Sequence, residues 1–232
     1  MSIQKYTVDF QPNLAQQEQV KSWMVSENLE NTGLYHYPDN ITYHADKCTL
    51  AIITRDHEAI GFVTWDIFKR SGHIAVAAIA ATYRKSGAGR FMVEAVLNYL
   101  KLQGLAAIHL ECAPANSENF WRKMGFQPMP EIPAYTGKGS PALFKILSTA
   151  QEIGVTPGEA VQIYKWGSDE KTLWPVSYRT GTNQLINPII TPAYKDWCIE
   201  HIKFGIALRS DKIKNFRSGT CYDDPFLIIT EL

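Results

Sequence analysis

Apolar residues recur along the chain with two periods, and the alternation between them sets out its elements. Asn13 is placed to cap a helix in which Leu14, Val20, Trp23 and Met24 supply apolar contacts, ending before Asn31-Thr32-Gly33. Tyr35-His36-Tyr37-Pro38-Asp39-Asn40 mixes aromatic residues with turn formers and reads as a loop, placed to act as a lip over a pocket. From Thr49 the period changes to that of strands. Leu50–Thr54, a turn at Asp56-His57-Glu58, Ile60–Trp65 and, after Ser71-Gly72, His73 to about Ala81 predict an antiparallel meander. Met92, Val93, Val96, Leu97 and Leu100 then recur at intervals of three and four, which predicts a helix stopped by Gly104. A strand over Ala106–Cys112, a short helix over about Asn116–Met124 stopped by Gly125, and a strand over Ala142–Leu147 complete the series. Helix, three strands, helix, strand, helix, strand is the order of an α/β domain on a mixed sheet flanked by helices.

Beyond Ser148 helical periods fade, and Thr156-Pro157-Gly158 marks a boundary. Val161–Lys165, Leu173–Arg179, Cys198–Leu208 and Phe226–Thr230 favour strands. Read as one strand, the third puts Cys198, Ile202, Phe204, Ile206 and Leu208 on one face and His201, Lys203 and Arg209 on the other. The expected organisation is a domain over residues 1–147 and a small β-rich extension over 148–232. Exposed edges in such an extension would suit it to pairing subunits into a homodimer or to completing the sheet.

Composition narrows the functional classes. Lys plus Arg and Asp plus Glu both number 23, so no global field draws in nucleic acid or an anionic membrane. The apolar run Ile74–Ala81 is far shorter than the roughly 20 residues of a membrane span, and Met1-Ser2-Ile3-Gln4-Lys5 lacks a signal core. A cytoplasmic protein is expected. Cys48, Cys112, Cys198 and Cys221 are too scattered for a disulfide framework and read as reduced thiols. With no His-x-x-x-His pair, no metal site is expected.

The main chemical signal is Arg84-Lys85-Ser86-Gly87-Ala88-Gly89, between a strand end and a helix start. The first turn of a helix has unpaired N–H groups and the positive end of the dipole, and small residues let a phosphate approach. Arg84, Lys85 and Arg90 add charge suited to a pyrophosphate. A tight strand-to-helix turn without a ligand uses the same residues. The pattern is not a dinucleotide fingerprint, since Met92 stands where a third small residue belongs, and Gly137-Lys138-Gly139-Ser140 is not a P-loop.

Residues 79–89, the helix after them and Phe120-Trp121-Arg122-Lys123-Met124-Gly125-Phe126 together resemble a GNAT-family N-acetyltransferase. Arg84, Gly87 and Gly89 match that family's Arg/Gln-x-x-Gly-x-Gly/Ala pyrophosphate loop; Phe120 to Phe126 match its Phe-Tyr-x-x-x-Gly-Phe helix apart from Trp121. The resemblance implies a mixed, mostly antiparallel sheet in which two neighbouring strands splay apart around the pantetheine arm of acetyl-CoA. On this chain it implies a cofactor site made of Ala78, Ile79, Ala80, Arg84, Lys85, Ser86, Gly87, Ala88, Gly89, Arg90, Asn116 and Trp121. Asn116 reads more readily as a helix cap than as a cofactor contact.

The implied reaction is direct attack of a primary amine on the thioester through an oxyanion stabilised by an N–H near Ile79. An alkylamine, with a pKa of about 10.4, needs help losing its proton. Glu111 is the leading base and His109, on the same strand face, the reserve; His73 is a further candidate. Trp121 replaces the usual tyrosine acid, which leaves Tyr83 or Tyr135 as donors, or unaided thiolate departure. Tyr35, Tyr37 and Trp65 are candidate substrate contacts. A small-molecule amine, a protein or peptide amine, and a noncatalytic acyl-CoA sensor remain the three readings.

Overall fold

The computed structural model describes residues 6–27, 38–131, 139–148, 158–216, 220–223 and 225–232. These fall into two compact units, one running to Pro128 and resumed up to Leu147, the other holding Met129–Glu131, Ser148 and the described residues from 158 on.

The first unit is built on a seven-stranded sheet: β1 (Thr7–Asp9), β2 (Leu50–Arg55), β3 (Glu58–Ile67), β4 (Ser71–Ile79), β5 (Ala107–Glu111), β6 (Gln127–Pro128) and β7 (Ala142–Ile146), in the spatial order β1-β2-β3-β4-β5-β7-β6. Only β4 and β5 pair in parallel; the other neighbours are antiparallel. The expected meander is β2-β3-β4. Its first turn is a two-residue hairpin in which Asp56 and His57 both take positive φ, at 50° and 69°, the geometry that matches strand twist.

Helix α1 (Leu14–Ser26) starts where Asn13 predicts. Asn13 Oδ1 accepts from the Gln16 N–H at 3.0 Å and Gln16 Oε1 accepts from the Asn13 N–H at 2.8 Å, a reciprocal capping box. Helix α2 (Pro38–Asp46) corrects the loop expected through Asn40. Pro38 occupies the first helical position, where its missing N–H has no acceptor to lose, and Ile41 and His44 are buried one turn apart. Burial holds the His44 imidazole below its ordinary pKa. Val20, Met24 and Ile41 pack with Leu50, Ile52 and Phe62 on one sheet face.

The other face is covered by α3 (Ala88–Leu102) and α4 (Glu118–Lys123). The predicted stripe of α3 is its buried face: Met92, Val93, Val96, Leu97 and Leu100 lie against Val63, Trp65 and Ile108. Each such side chain contributes about 1.5–3 kcal/mol by leaving water. Gly104 and Gly125, both at positive φ, follow α3 and α4.

In the second unit, β8 (Glu159–Tyr164), β9 (Lys171–Pro175), β11 (Cys198–Lys203) and β12 (Ile206–Lys212) form a sheet ordered β12-β11-β8-β9. Strands β10 (Gln184–Pro192), β13 (Thr220–Asp223) and β14 (Phe226–Glu231) form a second, ordered β10-β14-β13. Val161, Ile163 and Ile199 of the first sheet share a core with Ile189, Leu227 and Ile229 of the second. The single strand expected over Cys198–Leu208 is a hairpin, because Phe204 and Gly205 turn the chain with φ of 49° and 79°. His201 therefore faces Arg209 across a strand pair, and Ile206 and Leu208 are exposed instead of sharing a face with Cys198. The strand expected over Leu173–Arg179 ends at Pro175.

At one edge of this core the buried Glu159 carboxylate accepts from the Tyr178 hydroxyl, from His201 Nε2 at 2.7 Å and from Lys203 Nζ at 3.2 Å. Burial alone would raise its pKa, but the three donors outweigh it and hold the group below its ordinary value of 4.5. A depressed carboxylate stabilises the fold fully above the unfolded pKa and loses that contribution as pH falls through the folded value. Urea unfolding of the full chain should therefore show the second unit weakening below about pH 4.5. Glu159→Ala should destabilise it by about 3–5 kcal/mol at neutral pH and flatten this acid limb.

Candidate active site

The sheet forks between its two parallel strands. β4 and β5 pair only at Ser71 with Ala107, Gly72 with Ile108 and His73 with His109. Past that point β4 stays with β3 as far as the Gly61–Ile79 pair, and β5 stays with β7 as far as Glu111–Ala142. The parting begins at a β-bulge: Trp65 pairs with Ile74 and Thr64 with Val76, which leaves Ala75 as an extra residue on β4. Such an insertion bends its strand and sharpens the local twist, turning β4 away from β5. Main-chain groups of β4 that point away from β3 then face a cleft instead of a neighbouring strand.

Close packing fixes the far wall. A Cβ on Gly61 would lie 2.6 Å from the Ala78 carbonyl oxygen and 2.4 Å from Ile79 Cδ1, so only glycine lets β3 sit this close to the end of β4. The chain then makes a short 3-10 turn over Ala81–Tyr83 and enters α3 through Gly87, whose φ is 92°. Ser86 pins the turn: its hydroxyl donates to the Tyr83 carbonyl at 2.5 Å and accepts from the Tyr6 hydroxyl at 3.0 Å. Lys85, at φ 61°, precedes it in a strained left-handed conformation.

A cleft of about 620 Å³ opens at this fork. Ala77, Ala78 and Ile79 form its β4 wall, Arg84, Lys85, Gly87, Gly89 and Arg90 its cationic, glycine-rich end, and Phe120 and Trp121 its α4 side. A smaller hollow of about 120 Å³ lies between Ile74–Ala77 and Leu110, Glu111 and Pro114. Ala77, Ser117 and Trp121 line both. Trp121 is buried and packs edge-on against Phe126, with ring centroids 5.3 Å apart.

The fork thus gathers Ala78, Ile79, Arg84, Lys85, Gly87, Gly89, Arg90 and Trp121 from the expected cofactor set. Ala80 and Ala88 are buried beneath it, with the Ala80 N–H donated to the Ile60 carbonyl. Asn116 is exposed on a one-turn 3-10 segment and does not cap α4, whose N-cap is Ser117 without a side-chain bond. Arg84 has internal partners: its Nε donates to the Ile79 carbonyl at 2.9 Å and its guanidinium pairs with Glu27 at 2.9 Å. The other Glu27 oxygen accepts from the Ala81 N–H at 2.5 Å. Among the described residues Lys85 and Arg90 have no ion-pair partner, so they are the cations an anionic ligand would meet unpaired.

Glu111 is half-buried at the end of β5, and His109 is buried two residues earlier on the same face. Trp65 is a correction: it is fully buried beneath α3 with Phe10 and Tyr99 and presents nothing to a substrate. Alternation with Val63, equally buried, puts it in the core. Tyr35, Tyr37 and Tyr135 lie outside the described residues. The Tyr83 hydroxyl donates to Glu58 at 2.6 Å; this hydrogen bond raises its pKa and commits its proton elsewhere. Cys112 is a buried free thiol whose pKa is raised by desolvation, the opposite of an activated nucleophile. The sequence reading missed Glu27, which reaches Arg84 across 57 positions, and Ala77, Met92 and Val93 in the cleft wall. Among the described residues no group of three or more His, Cys, Asp or Glu could hold a metal, and no helix is long and apolar enough to cross a membrane.

A mostly antiparallel sheet, flanked by helices and forked beside a glycine-rich helix start, defines an acyltransferase fold. Residues 14–126 match the Acetyltransferase (GNAT) family, and this part of the chain is a GNAT acetyltransferase domain. Among solved structures, the chain is similar to a GNAT-family acetyltransferase from Staphylococcus aureus Mu50, at 13% identity over 62% of this chain and 99% of that one, TM-score 0.51. It is similar to Ard1 from Thermoplasma volcanium at 18% identity over 62% and 99%, TM-score 0.51. N-acetylglutamate synthase from Neisseria gonorrhoeae, complexed with coenzyme A and N-acetyl-glutamate, matches at 16% identity over 62% of this chain and 35% of its own, TM-score 0.52. At these identities the likeness is one of fold. No curated protein matches the sequence.

Because Gly61 abuts main-chain atoms of the cleft wall, Gly61→Ala should lower stability by about 1–3 kcal/mol in thermal unfolding. Gly89→Ala, whose Cβ meets Ile79 and Phe120 at ordinary distances of 3.5 and 3.7 Å, should leave the melting temperature nearly unchanged.

Proposed function

We propose that this chain moves the acetyl group of acetyl-CoA directly to a primary amine of a small molecule. The observation that carries the reading is the cleft itself, which joins a small-residue strand wall to a helix start flanked by unpaired cations. The N–H groups of the first turn of α3 have no acceptor within the helix, and with Lys85 and Arg90 they suit the diphosphate of the coenzyme. The pantetheine arm runs along Ala77–Ile79, whose side chains leave room for it. Glu111 lines the smaller hollow beyond Trp121, which supports reading it as the group that receives the amine's proton.

In this scheme the amine nitrogen attacks the thioester carbon, the carbonyl oxygen takes up negative charge, and a main-chain N–H of the forked strand near Ile79 stabilises it. Collapse expels the coenzyme thiolate. Its pKa is near that of a Cys thiol, about 8.5, so departure without an acid is feasible, consistent with Trp121 and with the committed Tyr83 hydroxyl. The raised pKa of Cys112 argues against an acetyl-cysteine intermediate and for direct transfer.

Calorimetric titration should give saturable binding of acetyl-CoA. A panel of aliphatic, aromatic, amino-acid and peptide amines, scored by thiol release, should single out a small amine over peptides. Glu111→Gln should lower kcat/KM by about 10²-fold or more while coenzyme affinity stays within a factor of two. A noncatalytic acyl-CoA sensor, the reading that Trp121 favours, predicts binding with no thiol release; faster release with peptides than with free amines would move the acceptor to proteins. Absence of coenzyme binding would remove the proposal.

A further inference from the structure

At the far end of β4 a side chain from another element holds the main chain that faces the cleft. Ala80 donates its N–H to the Ile60 carbonyl at 2.9 Å, in register with the Gly61–Ile79 pair one position before it. Antiparallel pairs alternate between those that exchange both main-chain bonds and those that exchange none. The N–H and C=O of Ile79 therefore point away from β3, toward the cleft that Ile79 lines. The C=O is engaged there by Arg84 Nε at 2.9 Å, and the N–H is left facing the cleft.

Arg84 is itself held. One Glu27 oxygen accepts from the Arg84 guanidinium at 2.9 Å and the other accepts from the Ala81 N–H at 2.5 Å, so a single carboxylate grips the chain on both sides of the turn that leaves β4. Glu27 in turn is rooted in α1. Its N–H closes the last turn on the Trp23 carbonyl at 2.9 Å, and Val20 and Met24 dock that helix on the sheet with Ile52 and Phe62. Gln19 ties the middle of α1 to the start of β3 by accepting from the Ala59 N–H at 2.8 Å. The Glu27 side chain is 19% exposed against 52% for Arg84, so the carboxylate is the anchored partner and the guanidinium the one it restrains.

We propose that Glu27 is a positioning residue for acyl transfer, acting through Arg84 and the Ala81 N–H to fix the Ile79 peptide so that the Ile79 N–H meets the oxyanion. The inference rests on the acetyl-transfer reading above. As the N–C bond forms, the carbonyl π pair moves onto oxygen; as the C–S bond breaks, that pair returns to carbon and the thiolate leaves with the C–S pair. The oxygen carries its charge only between those events, so a donor held in place lowers the barrier without tightening the ground-state complex. Glu27 also neutralises Arg84, a third cation at the end of the cleft where Lys85 and Arg90 stand. It therefore has two opposed effects: it speeds the chemical step by orienting a donor, and it weakens anion binding by occupying a guanidinium. A residue that only supported the fold would give both effects the same sign.

The test uses the full chain, acetyl-CoA and the amine of the panel giving fastest thiol release. Glu27→Gln keeps an oxygen for the Ala81 N–H and removes the charge that restrains Arg84. Its kcat should fall about tenfold, less than the 10²–10³ that loss of a whole oxyanion donor costs. The acetyl-CoA dissociation constant by calorimetry should tighten by about threefold, with a steeper salt dependence than in wild type. In an Arg84→Gln background the same Glu27→Gln change should lower kcat by less than twofold and tighten binding no further, because the group through which Glu27 acts is gone. Unchanged kcat in Glu27→Gln, loss of kcat and of affinity together, or tighter binding without loss of kcat would each overturn the positioning role while leaving acetyl transfer standing. Equal effects of Glu27→Gln in both backgrounds would do the same. No thiol release from wild type with any amine would overturn acetyl transfer, and this role with it.

Discussion

The first unit depends on one unsatisfied pairing: after His73 and His109, two strands that began as neighbours stop exchanging main-chain hydrogen bonds. Backbone groups withdrawn from a sheet ordinarily carry a penalty unless another partner meets them. β4 limits that penalty by remaining paired to β3 along its other edge, and β5 by remaining paired to β7. The opening is thereby confined to a wedge between two well-supported halves of one sheet. α3 and α4 lie over one face, with Trp121 where the two hollows meet.

Ion pairing and hydrogen bonding tune this wedge from its rim. Glu27 follows the last turn of α1, yet both of its oxygens reach the far end of β4, one to the Ala81 N–H and the other to Arg84. Arg84 in turn holds the Ile79 carbonyl. The exposed pair on its own is worth little, but the three contacts together orient the chain as it leaves the strand and enters the glycine turn. Among the described residues the cations left unpaired are Lys85 and Arg90, one on each side of Gly87. A chain that anchors one cation internally and leaves two unpaired separates the work of shaping the loop from that of attracting an anion.

Elements set by local rules were legible in the sequence. The 3–4 spacing of Met92 through Leu100, the cap at Asn13 and the glycine turn at Gly87 each depend on residues within a few positions. Features that depend on distant partners were not. Nothing local marks Glu27 as the partner of Arg84, and the bulge at Ala75 is visible only once the β3 register is known. Helix α2 was hidden because Pro38 and Asn40 also suit turns, and its apolar positions are few. The β11-β12 hairpin was hidden because Phe204, a bulky residue, takes the left-handed conformation usually left to glycine or asparagine. Trp65 misled because aromatic residues line pockets and fill cores alike; strand alternation decides for the core. On the site, the sequence located the loop and the two strand ends but not which of the loop's charges were already engaged.

The extra residue at Ala75 is a matter of counting. A bulge is specified by how many residues one strand places against its neighbour, and far less by which residues they are. Substitutions accumulate one position at a time and leave that count untouched, whereas a single deletion there would restore regular pairing with β3 and remove the bend that turns β4 away from β5. The architecture of the fork can therefore outlast nearly all of the letters that spell it, which accords with fold similarity persisting at 13–18% identity. Gaps and insertions, more than replaced side chains, would be the changes by which descendants of such a chain abandon this site.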